Sequence, residues 1–206
     1  MNSIEKIFGE QHDFLNETFS ELEFGTEVLK NYTFIECSFD RSEFCDTIFI
    51  NCTFDKCSFT GCTFNNVEFD HSALIHCTFR FAKLLNNIFS ESKLTGSSFA
   101  SAAVKFPEIS GGNWSYADLR EINFHKIKIE NTNFEGADFF ECDMSKSTFK
   151  NCNFCGANLT NVNLSQSDIT GSNISKIDIR TLNLQECKID PAQALIIAES
   201  VGAIIV

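Results

Sequence analysis

Large apolar residues fall on every fifth position of this chain. From Phe14 to Ile189, each residue whose number ends in 4 or 9 is large and apolar. These 36 centres comprise 19 Phe, 8 Leu and 6 Ile, with Val104, Trp114 and Met144. The densest run carries Phe34, Phe39, Phe44, Phe49, Phe54, Phe59, Phe64 and Phe69. A period of five fits neither a helix, at 3.6, nor a strand, at 2. It marks a repeat architecture. Because the register never slips, the centres, Trp114 among them, are expected to form one continuous core. The position two before the centre is small (Cys, Ser, Ala, Thr, Gly or Val) in 25 of 36 units. It is expected to point inward into a narrower space. The position just before the centre is often polar, as at Asn133, Asp138, Thr148 and Asn153, and such side chains satisfy turn backbone. The two positions after it hold most of the Lys, Glu, Gly and Asn and are expected to face water. The unit reads small–polar–large–polar–polar.

A twenty-residue recurrence overlies the period of five, in Asn113, Asn133, Asn153 and Asn173 and in Cys37, Cys57 and Cys77. Two places strain the rule. Glu17, Leu22, Glu27 and Tyr32 stand where small residues belong. Unpaired buried carboxylates are too costly, so the first turn is expected to be distorted or open. Residues 1–11 are expected to cap it through Ile4, Ile7 and Phe8. The second place is 101–113, where Pro107, which lacks a donor, occupies a small-residue position. A locally bent turn is preferred there, with an ejected ten-residue loop as the alternative. At the end, Asp190-Pro191 signals a helix start. A helix over 192–201 is expected, stopped by Gly202, with the apolar tail AIIV after it.

Units such as Ala117-Asp118-Leu119, Ala137-Asp138-Phe139 and Ala157-Asn158-Leu159 resemble the A-(N/D)-L-x-x unit of the pentapeptide repeat family. The resemblance spans residues 12–191. It implies an all-β fold, a right-handed quadrilateral β-helix with four units per turn. Thirty-six units then make about nine turns, roughly 43 Å at ~4.8 Å per layer. The implied organisation is a cap at 1–11, the β-helix at 12–191 and a terminal helix and tail at 192–206.

Composition narrows the chemistry. The net charge of −12 argues against direct binding of nucleic acid or an anionic membrane. Sorted by the sides of a twenty-residue turn, two opposite sides each carry net −4 and the other two −1. Eight of the ten cysteines (Cys37, Cys52, Cys57, Cys62, Cys77, Cys142, Cys152 and Cys187) share the small-residue phase. Cys152 and Cys155 form a C-x-x-C, but in different phases. Buried thiols in a reducing cytoplasm are expected, without disulfides or zinc. His71 and His76 are expected to be ordinary surface histidines. No apolar run approaches the ~20 residues of a membrane helix. No nucleophile, phosphate-loop or metal motif appears. No catalytic residue, cofactor, metal, membrane or small-molecule substrate is expected. Phe81, Phe106 and Phe140 lie in outward phases with Tyr116 nearby, and these four are candidate partner contacts.

The segments NWSYADLREINF and IDIRTLNLQECKIDPAQALIIAESVGAIIV resemble the ending of Qnr-type quinolone-resistance proteins. That resemblance covers about residues 110–206. It implies a cytoplasmic homodimer that protects DNA gyrase and topoisomerase IV and mimics DNA in size and charge. The dimer is expected to form through Leu195, Ile196, Ile197, Val201, Ile204 and Ile205, which leave more apolar surface than one turn can hide. An adaptor rod for another protein, or immunity to a topoisomerase-directed peptide toxin, are the competing readings. An enzyme is the most distant.

Overall fold

Twenty residues separate hydrogen-bonded partners in the parallel ladders of this computed structural model, which describes residues 7–105 and 107–205. The chain divides into two compact units, Met1–Glu108 and Ile109–Val206. In the first, one side is the sheet of Asp13–Leu15, Thr33–Ile35, Thr53–Asp55 and Ala73–Ile75. A second side is built from Glu23–Phe24, Glu43–Cys45, Thr63–Asn65, Lys83–Leu85 and Ala103–Lys105. A third is built from Val28–Lys30, Ile48–Ile50, Glu68–Asp70 and Ile88–Ser90. The fourth is held by single bridges, Thr18 to Ser38, Ser58, Thr78 and Ser98 in turn. In the second unit Ile109 and Ser110 pair with Ile129 and Glu130, and Lys128–Glu130 with Thr148–Lys150. Its other sides are bridged at single residues, such as Asn113, Asn133, Asn153 and Asn173. The fold is thus a parallel quadrilateral β-solenoid. Its right-handed sense is the usual one for crossovers within a parallel sheet.

About seven turns form, against the nine expected from counting units. The last units are less regular, although Asn183 and Lys188 still bridge Asn163 and Asp168. A 3-10 turn at Ile179–Thr181 replaces an extended side. Leu184 is only half-buried, and Ile189 is 36% exposed.

Almost every centre points inward, from Phe14 at 7% exposed to Phe34, Phe54, Phe64 and Phe69 at 0%, with Trp114 at 2%. In the first unit the rings stack in columns along the turns. Phe14, Phe34 and Phe54 follow at 5.1 and 5.0 Å with planes within 10°. Phe39, Phe59, Phe79 and Phe99 continue at 5.1, 5.0 and 4.6 Å. Rings on neighbouring sides meet edge-on, as Phe34 does Phe39 at 79°. Such pairs contribute about 0.5–1.5 kcal/mol each beyond burial. In the second unit Leu and Ile replace many rings, and Phe134–Phe154 at 5.4 Å is a stacked pair that remains.

The position two before the centre does more than fit a narrow space. Its side chain links its own turn to the one before at two points. Ser97 Oγ donates to the carbonyl of Leu74 (2.6 Å) and accepts from the N–H of Cys77 (2.8 Å). Ser72, Ser147, Ser167 and Ser172 donate in the same way to the carbonyls of Phe49, Phe124, Met144 and Phe149. Cys62 Sγ donates to Phe39 (2.9 Å) and Cys142 Sγ to Leu119 (3.0 Å). Where the residue is Ser, its donor satisfies a buried carbonyl of the turn before, as at Leu74 and Phe124, whereas Ala82, Ala117 and Ala137 fill the same position by size alone. The position just before the centre carries a second ladder. Asn133 Nδ2 donates to Asn113, Asn153 to Asn133 and Asn173 to Asn153, at 2.9–3.1 Å. The same Oδ1 atoms also accept from the backbone two residues on.

Every non-glycine residue with positive φ among those described has a number ending in 1 or 6, such as Asn16, Asn51, Asn86 and Asn151. The second residue after the centre closes each corner in the left-handed region, which favours Asn and Gly. Gly136 sits there with φ +63°, and a Cβ would lie 2.5 Å from the Tyr116 ring.

Both irregular stretches stay within the solenoid. Glu17 is exposed and Glu27 half-buried, so the first turn buries neither carboxylate fully. Phe8, 4% exposed, lies within 5.1–6.1 Å of the rings of Phe14, Phe19, Phe24, Tyr32 and Phe34. Ile4 lies outside the described residues. Around Pro107 no ten-residue loop is ejected. Ala103–Lys105 pairs in register with Lys83–Leu85, and the N–H of Glu108 donates to Asn87. The terminal helix runs Pro191–Ser200, one residue earlier than expected. Asp190 and Gln193 form a capping box at its start. Gln193 Nε2 also donates to the carbonyls of Ile169 and Ser172 (2.6 and 2.8 Å), fixing the helix to the solenoid.

Phe59→Glu places a carboxylate at a site 1% exposed and should cost several kcal/mol, a large part of a total of about 5–15. Lys56→Glu, at an exposed ion pair with Glu36, should be near neutral. Equal melting temperatures would contradict the inward assignment. Ser97→Ala should cost about 1–3 kcal/mol and Ser97→Cys clearly less. Urea denaturation of the two variants separates the donor role from simple size.

Candidate protein-binding surface

A solenoid whose interior is filled leaves its outer columns for function. Beneath the terminal helix the second unit encloses a void of only about 10 Å³ between Ile169, Ile174, Leu184 and Ile197. Among the described residues no cluster of His, Cys, Asp and Glu could hold a metal ion. No described helix is long and apolar enough to cross a membrane.

The cysteines divide by column. Cys37, Cys52, Cys57, Cys62, Cys77, Cys142 and Cys152 are buried, Cys155 and Cys187 half-buried, and Cys45 exposed, all as free thiols. Burial pushes Cys52, Cys152 and Cys187 up to about 11, and Cys62 and Cys142 up to about 12. Cys152 and Cys155, the C-x-x-C pair, thus differ in burial.

Acidic side chains line much of the outside. In the second unit Arg120 forks onto Asp118 (2.7 and 2.8 Å) and approaches Asp138 (3.7 Å). Arg180 repeats the fork on Asp178, whose carboxyl those bonds hold down at about 2. Both arginines engage adjacent carboxylates, so the positive charge of this side is neutralised locally. In the first unit Glu21 meets Arg41, and His71 Nδ1 lies 2.6 Å from Asp70. His71 and His76 are surface residues. A shallow acidic recess of about 470 Å³ is lined by Glu23, Glu27, Glu43 and Cys45. A groove of about 450 Å³ runs past Asp46, Glu68 and Glu108.

The candidate aromatic contacts separate. Phe81 is 54% exposed with Arg80 stacked 4.7 Å from its ring centre, and Tyr116 is 63% exposed. Both occupy left-handed corners, φ 59° and 57°, where a bulky side chain has no intrinsic advantage. Phe140 is half-buried, so its outward phase leaves less ring available than expected. Phe106 lies outside the described residues. At the terminal helix Ile196 and Ile197 are half-buried, while Leu195 is 50%, Val201 66%, Ile204 89% and Ile205 46% exposed. Helix and tail therefore leave a connected stretch of sequence with its apolar side chains in water.

The chain belongs to the pentapeptide repeat family. The pentapeptide repeat region model matches residues 52–134 and 117–193, and the model of eight pentapeptide repeats matches 33–66. Among solved structures, a trypsin-treated variant of QnrB1, described as a plasmid-mediated fluoroquinolone resistance protein, superposes with a TM-score of 0.80. The two are 25% identical over 94% of this chain and 97% of that one. Full-length QnrB1 gives 0.73 at 23% identity, over 90% and 99%. HetL, a pentapeptide repeat protein involved in heterocyst differentiation regulation from Nostoc, shares the fold at 0.50 and 15%, over 87% and 92%. No curated protein matches the sequence. The fold and repeat are those of the quinolone-resistance type of pentapeptide repeat protein.

Thiol titration of the native protein at pH 8 should modify Cys45 first, Cys155 and Cys187 more slowly, and the seven buried thiols only on unfolding. Fast modification of Cys62 or Cys142 would show that their column opens.

Proposed function

We propose that this protein is a homodimer that binds type II topoisomerases, DNA gyrase or topoisomerase IV, as a mimic of DNA, and protects them from quinolones or a similar poison. The likeness to QnrB1 over 94% of the chain carries this reading. The net charge of −12 supports it, since a surface built to hold DNA is basic and attracts an acidic partner. The exposed apolar side chains Leu195, Val201, Ile204 and Ile205 support the dimer, because paired copies would remove them from water. The protein acts in the cytoplasm, where its targets and reduced thiols belong, by binding and without catalysis.

Supercoiling by gyrase in the presence of a quinolone should recover as the protein is titrated in, and the effect should fade as salt rises. Ile196→Asp with Ile204→Asp should sediment as a monomer and protect far less. A wild type that sediments as a monomer removes the dimer. A dimer that binds neither topoisomerase at low salt removes the target and leaves an adaptor role.

A further inference from the structure

One outward row on a side of the first unit begins with two apolar side chains and, from Ile48 on, alternates apolar with acidic. The register Val28–Ile48, Ile48–Glu68 and Glu68–Ile88 stacks these residues directly above one another. Glu108 continues the row, its N–H bonding Asn87 as that of Glu68 bonds Thr47. Ile48, Glu68 and Ile88 are half-buried and Val28 is 53% exposed, so the row is open to a partner. The facing wall is a polar ladder, Asn66 Nδ2 donating to Asp46 (2.9 Å) and Asn86 Nδ2 to Asn66 (3.2 Å). The groove between wall and row measures about 450 Å³. Among the described residues no Lys, Arg or His forms an ion pair with Asp46, Glu68 or Glu108, unlike Glu21, Glu36 and Asp70 of the same unit.

The spacing selects the shape of what fits. Layers repeat at ~4.8 Å, so like side chains recur every ~9.6 Å along the row. One face of an extended strand repeats every ~6.6–6.8 Å and falls out of step. An α-helix laid along the groove returns to the same face after seven residues, ~10.5 Å. Its residue i+3 sits ~4.5 Å along, where the carboxylate stands. We infer that this groove docks an amphipathic basic helix of a partner protein, with apolar residues at i and i+7 against Ile48 and Ile88 and Arg or Lys at i+3 and i+10 against Glu68 and Glu108. The apolar contacts anchor the helix, and the carboxylates select against acidic or neutral helices and fix its register. Its occupant is defined by this pattern and not by the topoisomerase reading.

The test uses the full chain and a synthetic Ala/Gln helix carrying Leu at i and i+7 and Arg at i+3 and i+10, followed by fluorescence anisotropy without any topoisomerase. Saturable binding is expected, lost when both arginines become Glu. Glu68→Arg with Glu108→Arg should weaken it about tenfold or more. Ile88→Thr, which keeps a β-branched residue in the strand, should also weaken it while the melting temperature holds. Equal binding of a peptide with the same residues scrambled would overturn the inference, since net charge alone would then explain it. So would a double-charge variant that binds as the wild type does. If the peptide does not bind and the charge variants instead change the sedimentation of the protein, a second copy covers the groove and the inference fails. Because no topoisomerase is present, failure here and failure of the protection reading are separately visible.

Discussion

The twenty-residue register between turns is the constraint on which everything else rests. Each side of each turn meets the same side of the next through parallel backbone bonds, so a residue's neighbours are fixed by its number plus or minus twenty. Identical side chains then stack on one another, and the columns of Phe at 4.6–5.2 Å are the direct result. A single insertion would throw every later column out of phase at once. That explains why the period survives Pro107 without a slip.

The same constraint decides which positions are free. The centre, the small donor before it and the left-handed corner after it are each bound by a different requirement: volume, hydrogen-bond satisfaction and backbone sterics. The remaining outward surface varies at little cost to the fold, so it is where much of the acidic charge and the Ile48–Glu108 row accumulate. Function in such a protein is written in columns rather than in pockets. A column has a pitch of ~4.8 Å, and any partner that binds along it must answer that pitch.

The end of the solenoid poses a separate problem. Stacking covers both sides of every turn but the first and the last, so Phe8 closes the first and the last must be closed by something else. Here Gln193 holds the terminal helix on the carbonyls of Ile169 and Ser172, and Ile196 and Ile197 are half-buried. Closure by one short helix leaves Ile204 at 89% exposure, so the device that ends the repeat also supplies an apolar surface for association.

The period of five, the inward centres, the shared phase of the cysteines and the helix after Asp190 were all legible along the chain, because each depends on a local pattern repeated without error. The incomplete burial of Leu184 and Ile189 was not, since it depends on which groups the fold packs over them. Nor was the second task of the small residues: a serine that is merely small and one that bridges Leu74 and Cys77 look alike until turns are stacked. Phe81 and Phe140 both stand outside the inward phases, and packing alone made one exposed and the other half-buried. The groove beside Glu68 lay hidden for the same reason. Its residues are twenty apart in sequence and about one strand spacing apart in the fold, and only the closing of each turn upon the last brings them side by side.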